Sequence, residues 1–175
     1  MLEVVTSGLE VFDNYTQRFS WMPEKTFRFE YSLKAISDWE AKWCIPFLGG
    51  PKTVEQSKDM YKFMCVGEVI TDDYLVKDVE LLIIEYMEAN ATATRVQNDN
   101  KPSRTILTSE VIYAYMANAQ VPFTCETWNI KRLLILLNVI SEQNNPDKKK
   151  MSNNEILKQN RDLNAERKKK YNTKG

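Results

Sequence analysis

The side chains that could perform chemistry in this chain are carboxylates, lysines, tyrosines and three cysteines, because histidine is absent. Without histidine there is no Ser-His-Asp or Cys-His nucleophile, no imidazole general base and no histidine metal ligand. The composition therefore favours a protein that is not an enzyme. The acidic pairs are the first alternative to weigh, since carboxylates are the main acid–base groups that remain.

Three acidic pairs lie close enough in sequence to share a site, and each has a simpler structural explanation. The Asp-Asp pair at 72–73, and Asp38 with Glu40, fall where helices are predicted to begin, and acidic side chains there favour the helix dipole. Glu85 and Glu88 share one face of a predicted helix, but no other acid follows at metal-binding spacing. No glycine-rich phosphate loop and no EF-hand loop occurs. We expect no catalytic residue, no metal and no cofactor.

The cysteines and the apolar runs indicate the compartment. Cys44, Cys65 and Cys125 are odd in number and lack C-x-x-C spacing, which is typical of reduced, mostly buried thiols in a cytosolic protein. The first twenty residues have early acids and no apolar core of a signal peptide. The longest apolar run, "LLILL", is far shorter than the roughly 20 residues that span a bilayer. We expect no secretory signal and no membrane partner.

Aromatic side chains are the next candidates for a binding site. Trp39 and Trp43 are four residues apart, hence on one helical face, and Phe47 follows shortly after. One interpretation is that they pack onto aromatic residues of the N-terminal strands. The other is that Trp39, Trp43 and Phe47 form a partner-binding patch, because tryptophan is enriched in binding hot spots.

The first thirty residues are predicted to form strands. Apolar and polar residues alternate in "TFRFEYSL" (26–33) and in "TQRFSW" (16–21), which is the period of half-buried strands. Pro23, between them, occupies a position that a type I turn favours. The pattern predicts a β-hairpin of these two segments. A second, short hairpin is predicted between 92–96 and 104–107, which flank a polar stretch.

About five helices are predicted after the first hairpin. The first four are expected to begin at capping residues, namely Ser37, Thr53 with Gln56 as a capping box, Thr71, and Thr108 or Ser109, and the fifth is expected to run from about Glu126. The third carries a core-facing stripe of Leu75, Val79, Leu82, Ile83 and Tyr86. The fifth, 126–142, is apolar nearly all round and is predicted to be the central buried helix. The fold class is therefore α+β, mostly α-helical, with a globular domain over residues 1–145.

Residues 146–175 form a basic C-terminal extension. It contains ten Lys/Arg and four Asp/Glu, a net charge of +6, which leaves 14 basic and 20 acidic residues, or −6, in the rest of the chain. Ser152 with Glu155 is predicted to cap a last helix. Its candidate partner-binding residues are two apolar side chains a heptad apart and two cations of the "RKKK" run, namely Ile156, Leu163, Arg167 and Lys168. A solvated tail, a phosphate-binding grip and a docking arm that is flexible until it meets a partner all remain open.

Three stretches resemble a known family. They are "SLKAISDWEAKWCIPFLG", then "EVIYAYMANAQVPFTCETWNIKRLLILLNVISEQNNP", and the ending "KKKMSNNEILKQNRDLNAERKKKYNTKG". Together they are similar to the tail assembly chaperones of long-tailed bacteriophages, from Ser32 onward. The most distinctive pieces are "DWE-x-KW-x-x-PFL", "W-x-x-x-RLL" and "LNAERKKK".

The resemblance implies a function without catalysis. Such chaperones bind the tape-measure protein, a long apolar helical rod, in the host cell cytoplasm and keep it from aggregating until tube subunits surround it. The implied partners are the tape-measure protein or other tail components. Separately from the resemblance, the opposite charges of the extension and the rest of the chain suggest either self-association with a second copy or a partner that only the extension touches. Two other classes stay open: a structural protein of the virion tail or baseplate, and a small nucleic-acid-binding regulator that uses the basic tail.

Overall fold

The computed structural model describes residues 1–13, 15, 17–94, 106–144 and 153–171. It confirms the predicted fold class, a mixed α+β protein that is mostly helical. The chain divides into two compact units, Met1–Ser141 and Glu142–Gly175, which are described separately below.

The N-terminal strands form one long antiparallel ribbon that is interrupted once. The strands are β1 (Leu2–Thr6), β2 (Leu9–Asp13), β3 (Arg18–Met22) and β4 (Lys25–Phe29). β1 pairs with β4 and β2 pairs with β3. The register is the same in both ladders, since Leu2 faces Phe29 and, seven residues further along each strand, Leu9 faces Met22.

The hairpin predicted from 16–21 and 26–33 is wrong in its pairing, although strands exist in both segments. β3 returns beside β2, and β4 pairs with β1. Pro23 therefore lies at the interruption of the ribbon and not in its turn. Proline has no N–H to donate to a ladder, so a break between two paired stretches suits it as well as a turn does.

The body contains five α-helices among its described residues. They are α1 (Leu33–Trp43), α2 (Val54–Met64), α3 (Lys77–Glu88), α4 (Ser109–Asn118) and α5 (Ile130–Gln143), with 3-10 turns at Asp72–Tyr74 and Phe123–Thr127. The capping box of α2 is confirmed: the Thr53 hydroxyl accepts from the Gln56 N–H at 3.2 Å, and Gln56 Oε1 accepts from the Thr53 N–H at 2.9 Å. Thr108 caps α4, as predicted.

The predicted starts of the first and third helices are wrong. α1 begins at Leu33 and its N-cap is Ser32, whose hydroxyl accepts from the Ala35 N–H, so Ser37 lies inside the helix. Asp38 and Glu40 are consequently not first-turn acids. α3 begins at Lys77, because the Asp-Asp pair at 72–73 belongs to a separate 3-10 turn.

The fifth helix differs most from its prediction. α5 begins at Ile130 and not at Glu126, because the chain is extended at 129, where the Ile130 N–H donates to the Tyr31 C=O at 2.7 Å. Only Ile130, Leu133 and Leu137 of this helix are buried. Although apolar residues occur nearly all the way round α5, other parts of the protein cover this helix mainly on one side.

The core lies between the first half of the ribbon and the helices. The buried side chains of β1 and β4 belong to one apolar cluster with buried side chains of the five helices of the body. The largest fully buried side chains are Trp39, Phe27, Phe29, Leu33, Ile36, Met60, Met64, Ile70, Ile83, Ile112, Met116 and Ile130. Leu82 was predicted to join them, yet it is 44% exposed because it lies on the outer side of α3.

The second predicted hairpin finds no strand in the part of it that the structure describes. Residues 92–94 and 106–107 are irregular, and the remainder of the two segments, 95–96 and 104–105, lies outside the described residues. Hairpins require two extended segments in register, and the β-branched composition that suggested one here is a weak preference by itself.

The C-terminal unit contains α6 (Asn153–Tyr171), so the helix predicted in the extension is confirmed. Ser152, its predicted cap, lies outside the described residues. All described side chains of α6, including those of Leu163, Arg167 and Lys168, are exposed. A helix with this little burial contributes little to the folding of the rest of the chain.

We therefore predict that residues after Asn145 are dispensable for folding. A truncation that ends there should melt within a few degrees of the full chain, because the removed helix buries too little apolar area to offset its ordering entropy of about 1–2 kcal/mol per residue. Both proteins are compared by calorimetry at low concentration, where self-association does not contribute. A much lower melting temperature of the truncated chain would contradict the prediction.

Candidate partner-binding surfaces

The exposed half of the ribbon carries three aromatic side chains on one face. Phe12 and Phe19 are paired across the strands with ring centres 4.9 Å apart, and Trp21 follows two residues after Phe19. Their exposed fractions are 41%, 67% and 69%. We call Phe12, Phe19 and Trp21 the aromatic face.

The aromatic face continues the buried face of the same ribbon. Opposed residues of a ladder point to one side, and side chains alternate along each strand, so the unbroken register assigns Val4, Phe27, Phe12, Phe19 and Trp21 to one side. Val4 and Phe27 are 5% and 1% exposed. A surface with the character of a core is thus covered in the first half of the ribbon and exposed in the second.

Gly8, at the interruption, lets the Trp21 ring pack against the backbone. A Cβ at position 8 would lie only 2.5 Å from the Trp21 ring, so a larger residue would displace it. The indole is therefore held by the ribbon while most of its surface stays exposed. The alternation of Phe19 and Trp21 with polar residues indicated this face in the sequence. The same alternation, however, is equally typical of a strand whose apolar side is buried.

The predicted patch on α1 is divided between core and surface. Trp39 is fully buried, and its indole N–H donates to the Gln56 C=O at 2.7 Å. It is therefore not available to a partner in the folded chain, which corrects its proposed role as an anchor. The physical reason is that α2 packs on the same side of α1 that Trp39 occupies.

Trp43 and Phe47 are partly exposed and surround Trp39. The Trp43 indole N–H donates to Asp59 Oδ2 at 3.1 Å, and the same carboxylate pairs with Lys42. The Phe47 ring meets the Trp39 ring edge to face, with centres 5.0 Å apart. These contacts connect α1, α2 and the loop between them, so packing accounts for much of this cluster. A partner-binding role of Trp43 and Phe47 stays a prediction.

Glu40, which was predicted to be an acid in the first turn of a helix, is instead a buried carboxylate. One oxygen accepts from the Phe47 N–H and the other from the Ser109 N–H, each at 2.7 Å. Glu40 is only 6% exposed. It joins α1 both to the loop that follows it and to the first residue of α4. A glutamate within a helix normally indicates a solvated face, so no sequence signal identified this contact.

The residues predicted in the extension lie along α6. Leu163 is 41% exposed, and Arg167 and Lys168 are exposed one turn further on. Ile156 is in the same helix, but its side chain lies outside the described residues. A role of these four residues in partner binding stays a prediction.

A polar cleft of about 350 Å³ lies beside the start of the ribbon. The Tyr86 hydroxyl donates to Glu30 Oε1 at 2.7 Å and the Asn129 amide donates to the same oxygen at 3.2 Å. Desolvation, followed by the hydrogen bond to Glu30, raises the pKa of Tyr86 to about 12. Because the hydroxyl keeps its proton and bridges three elements, these contacts account for the network as a structural one.

Within the described ranges there is no cluster of three or more His, Cys, Asp or Glu side chains that would suit a metal ion. No described helix combines the length and apolar content needed to cross a membrane. No family model matches the chain, and no curated protein or solved structure matches it either. Functional inference therefore depends on the surfaces described above and on the sequence resemblance.

We predict that replacement of Trp39 with alanine destabilises the fold much more than replacement of Trp21 with alanine. Trp39→Ala should lower the free energy of unfolding by about 3–5 kcal/mol, the usual cost of removing a buried aromatic ring. Trp21→Ala, which removes an equally large but exposed ring, should cost no more than about 1 kcal/mol. Urea unfolding measures both. Similar losses for the two variants would contradict the assignment of Trp39 to the core.

We also predict that Glu40→Gln destabilises the chain by about 1–3 kcal/mol. An amide offers one acceptor oxygen, so one of the two backbone N–H groups would face an NH2 group and stay unsatisfied. Glu85→Gln is the matched control, because Glu85 is an exposed glutamate within α3. Urea unfolding should separate them, and equal stability of the two variants would show that the Glu40 contacts contribute nothing.

Proposed function

We propose that this protein is a bacteriophage tail assembly chaperone that binds the tape-measure protein in the host cell cytoplasm. The sequence resemblance names the family, and the aromatic face is the observation that carries the proposal. A chaperone for an apolar rod needs an exposed apolar surface on a folded body, and it needs no catalytic group. The ribbon supplies such a surface in Phe12, Phe19 and Trp21.

The aromatic face suits an apolar helix for two physical reasons. Aromatic rings contribute large contact areas, and Trp and Tyr are the side chains most enriched in binding hot spots. A two-stranded ribbon is also marginal by itself in water, so it gains stability when a partner covers it. Binding would therefore order the outer half of the ribbon while it shields the apolar side chains of the rod.

Release needs no chemical step under this proposal. The contact is apolar and limited to three rings, so tube subunits that cover the rod over a larger area would displace it by competition. The protein would then be absent from the finished tail. The alternative, a structural protein of the tail or baseplate, expects the opposite, and the composition of purified virions distinguishes the two.

The test is co-purification with a co-expressed tape-measure protein. We predict that Phe19→Thr combined with Trp21→Thr abolishes capture, because threonine preserves strand propensity while it removes both rings. Val5→Thr is the matched control: Val5 is 60% exposed in the same ribbon, but it alternates with Val4 and so lies on the opposite side. The control should capture the rod as the unmodified chain does.

Capture that survives loss of both rings would contradict the assignment of the aromatic face. A fall in the melting temperature of the double variant by more than a few degrees would show that the rings stabilise the fold, which also contradicts it. Retention of the chain on DNA that is lost as salt rises would instead support the nucleic-acid alternative, in which the exposed Arg161, Arg167 and Lys168 of α6 hold phosphates.

A further inference from the structure

The outer face of α3 is apolar along its middle and acidic at its margins. Leu81 and Leu82 are 54% and 44% exposed. Asp78, Glu85 and Glu88 are exposed beside them, since positions three, four and seven apart share one side of a helix. We call these five residues the acidic α3 face. Buried Val79 and Ile83 anchor the opposite side of the helix in the core.

The acids of this face form no side-chain ion pair within the described part of the chain, although Lys77 lies one turn before Leu81 and the Lys131 ammonium donates to the Glu88 C=O at 2.7 Å. The six ion pairs found there involve other carboxylates, and none includes Asp78, Glu85 or Glu88. An apolar strip with unpaired acids on both sides differs from an ordinary solvated helix face. Its chemistry fits an apolar helix that carries cations.

α6 is a helix of that kind. Leu157 and Leu163 are 57% and 41% exposed, and each is followed four residues later by an exposed arginine, Arg161 and Arg167. Neither arginine pairs with an acid among the described residues. Because Leu157 and Leu163 are six positions apart, they lie about 120° apart around the helix, so α6 presents two separate leucine–arginine pairs. Either pair is complementary to the leucines and acids of the acidic α3 face.

We propose that α6 of one copy docks on the acidic α3 face of a second copy. The two faces are of opposite charge and each is exposed, so each is available to another molecule. The charge of the whole chain agrees, because the +6 extension and the −6 remainder attract each other between copies. Two copies that exchange their α6 helices satisfy both faces in a closed assembly. This self-association does not depend on the proposed chaperone function.

Opposite charge and exposed leucines together favour a second copy over the other occupants. Nucleic acid would use the arginines of α6, but it would leave its leucines and the whole acidic α3 face uncovered. The aromatic face, in which three rings outnumber the one acid opposite Trp21 in the ladder, Glu10, remains the surface proposed for the apolar rod. The mass of the protein in solution, measured before and after charges on α3 and α6 are reversed, decides between these occupants.

The test is a charge exchange followed by measurement of mass with light scattering. The unmodified chain in low salt should have at least twice the monomer mass of 20.5 kDa. Glu85→Lys with Glu88→Lys should weaken association at least about tenfold, and so should Arg161→Glu with Arg167→Glu, because each places like charges opposite one another. Combining all four changes in one chain should restore the assembly.

Two controls make the result specific. Glu10→Lys with Glu24→Lys changes the charge equally at exposed glutamates outside α3 and should leave the mass unchanged. Leu81→Ser with Leu82→Ser should dissociate the assembly while every charge is retained, whereas Val69→Ser, at a site 87% exposed elsewhere, should not. Circular dichroism checks that each variant keeps its helices.

A monomeric mass for the unmodified chain at high concentration would overturn the proposal. So would an assembly that withstands either charge reversal, or one that the fourfold exchange fails to restore. DNA retention that disappears with Arg161→Glu and Arg167→Glu, in a chain that stays monomeric throughout, would assign α6 to nucleic acid and overturn it as well.

Discussion

The burial of one face of the N-terminal ribbon is the constraint on which the rest of the structure depends. A two-stranded ribbon is marginal in water unless something covers it. The helices cover its first half. The backbone that follows α2 also hydrogen-bonds to the edge of β4, where the Val66 N–H donates to the Arg28 C=O at 2.7 Å. No described element covers the second half, so the same ribbon is a core component at one end and a binding surface at the other.

Two carboxylates, the buried Glu40 and the partly exposed Glu30, hold the helices to this ribbon and to one another. Glu40 links α1 to the start of α4, and Glu30 gathers Tyr86 and Asn129 beside the ribbon. A buried carboxylate is costly unless its oxygens are satisfied, and in the described part of the chain no buried side-chain N or O lacks a partner. These contacts account for the low exposure of both carboxylates without any catalytic role.

The exposed surfaces differ in chemistry, and the proposals assign them different partners. The aromatic face is made of exposed rings, which suits an apolar rod. The acidic α3 face and α6 are complementary in charge, which suits contact between copies. Because the aromatic face lies on β2 and β3, self-association through α3 and α6 does not use its residues. A chain with both contacts could present several aromatic faces to one long partner, and multivalent binding would strengthen capture without any new contact.

Local features of the fold were readable from the sequence, and long-range ones were not. The caps at Thr53 and Thr108 and the helix in the extension depend on residues within one turn, so their prediction succeeded. The absence of histidine excludes its chemistry from any site whatever the fold. Strand pairing, the burial of Trp39 and the contacts of Glu40 join residues far apart in the chain, and only the tertiary structure decided them. Periodicity defines the sides of an element, but what covers each side depends on the elements that pack there.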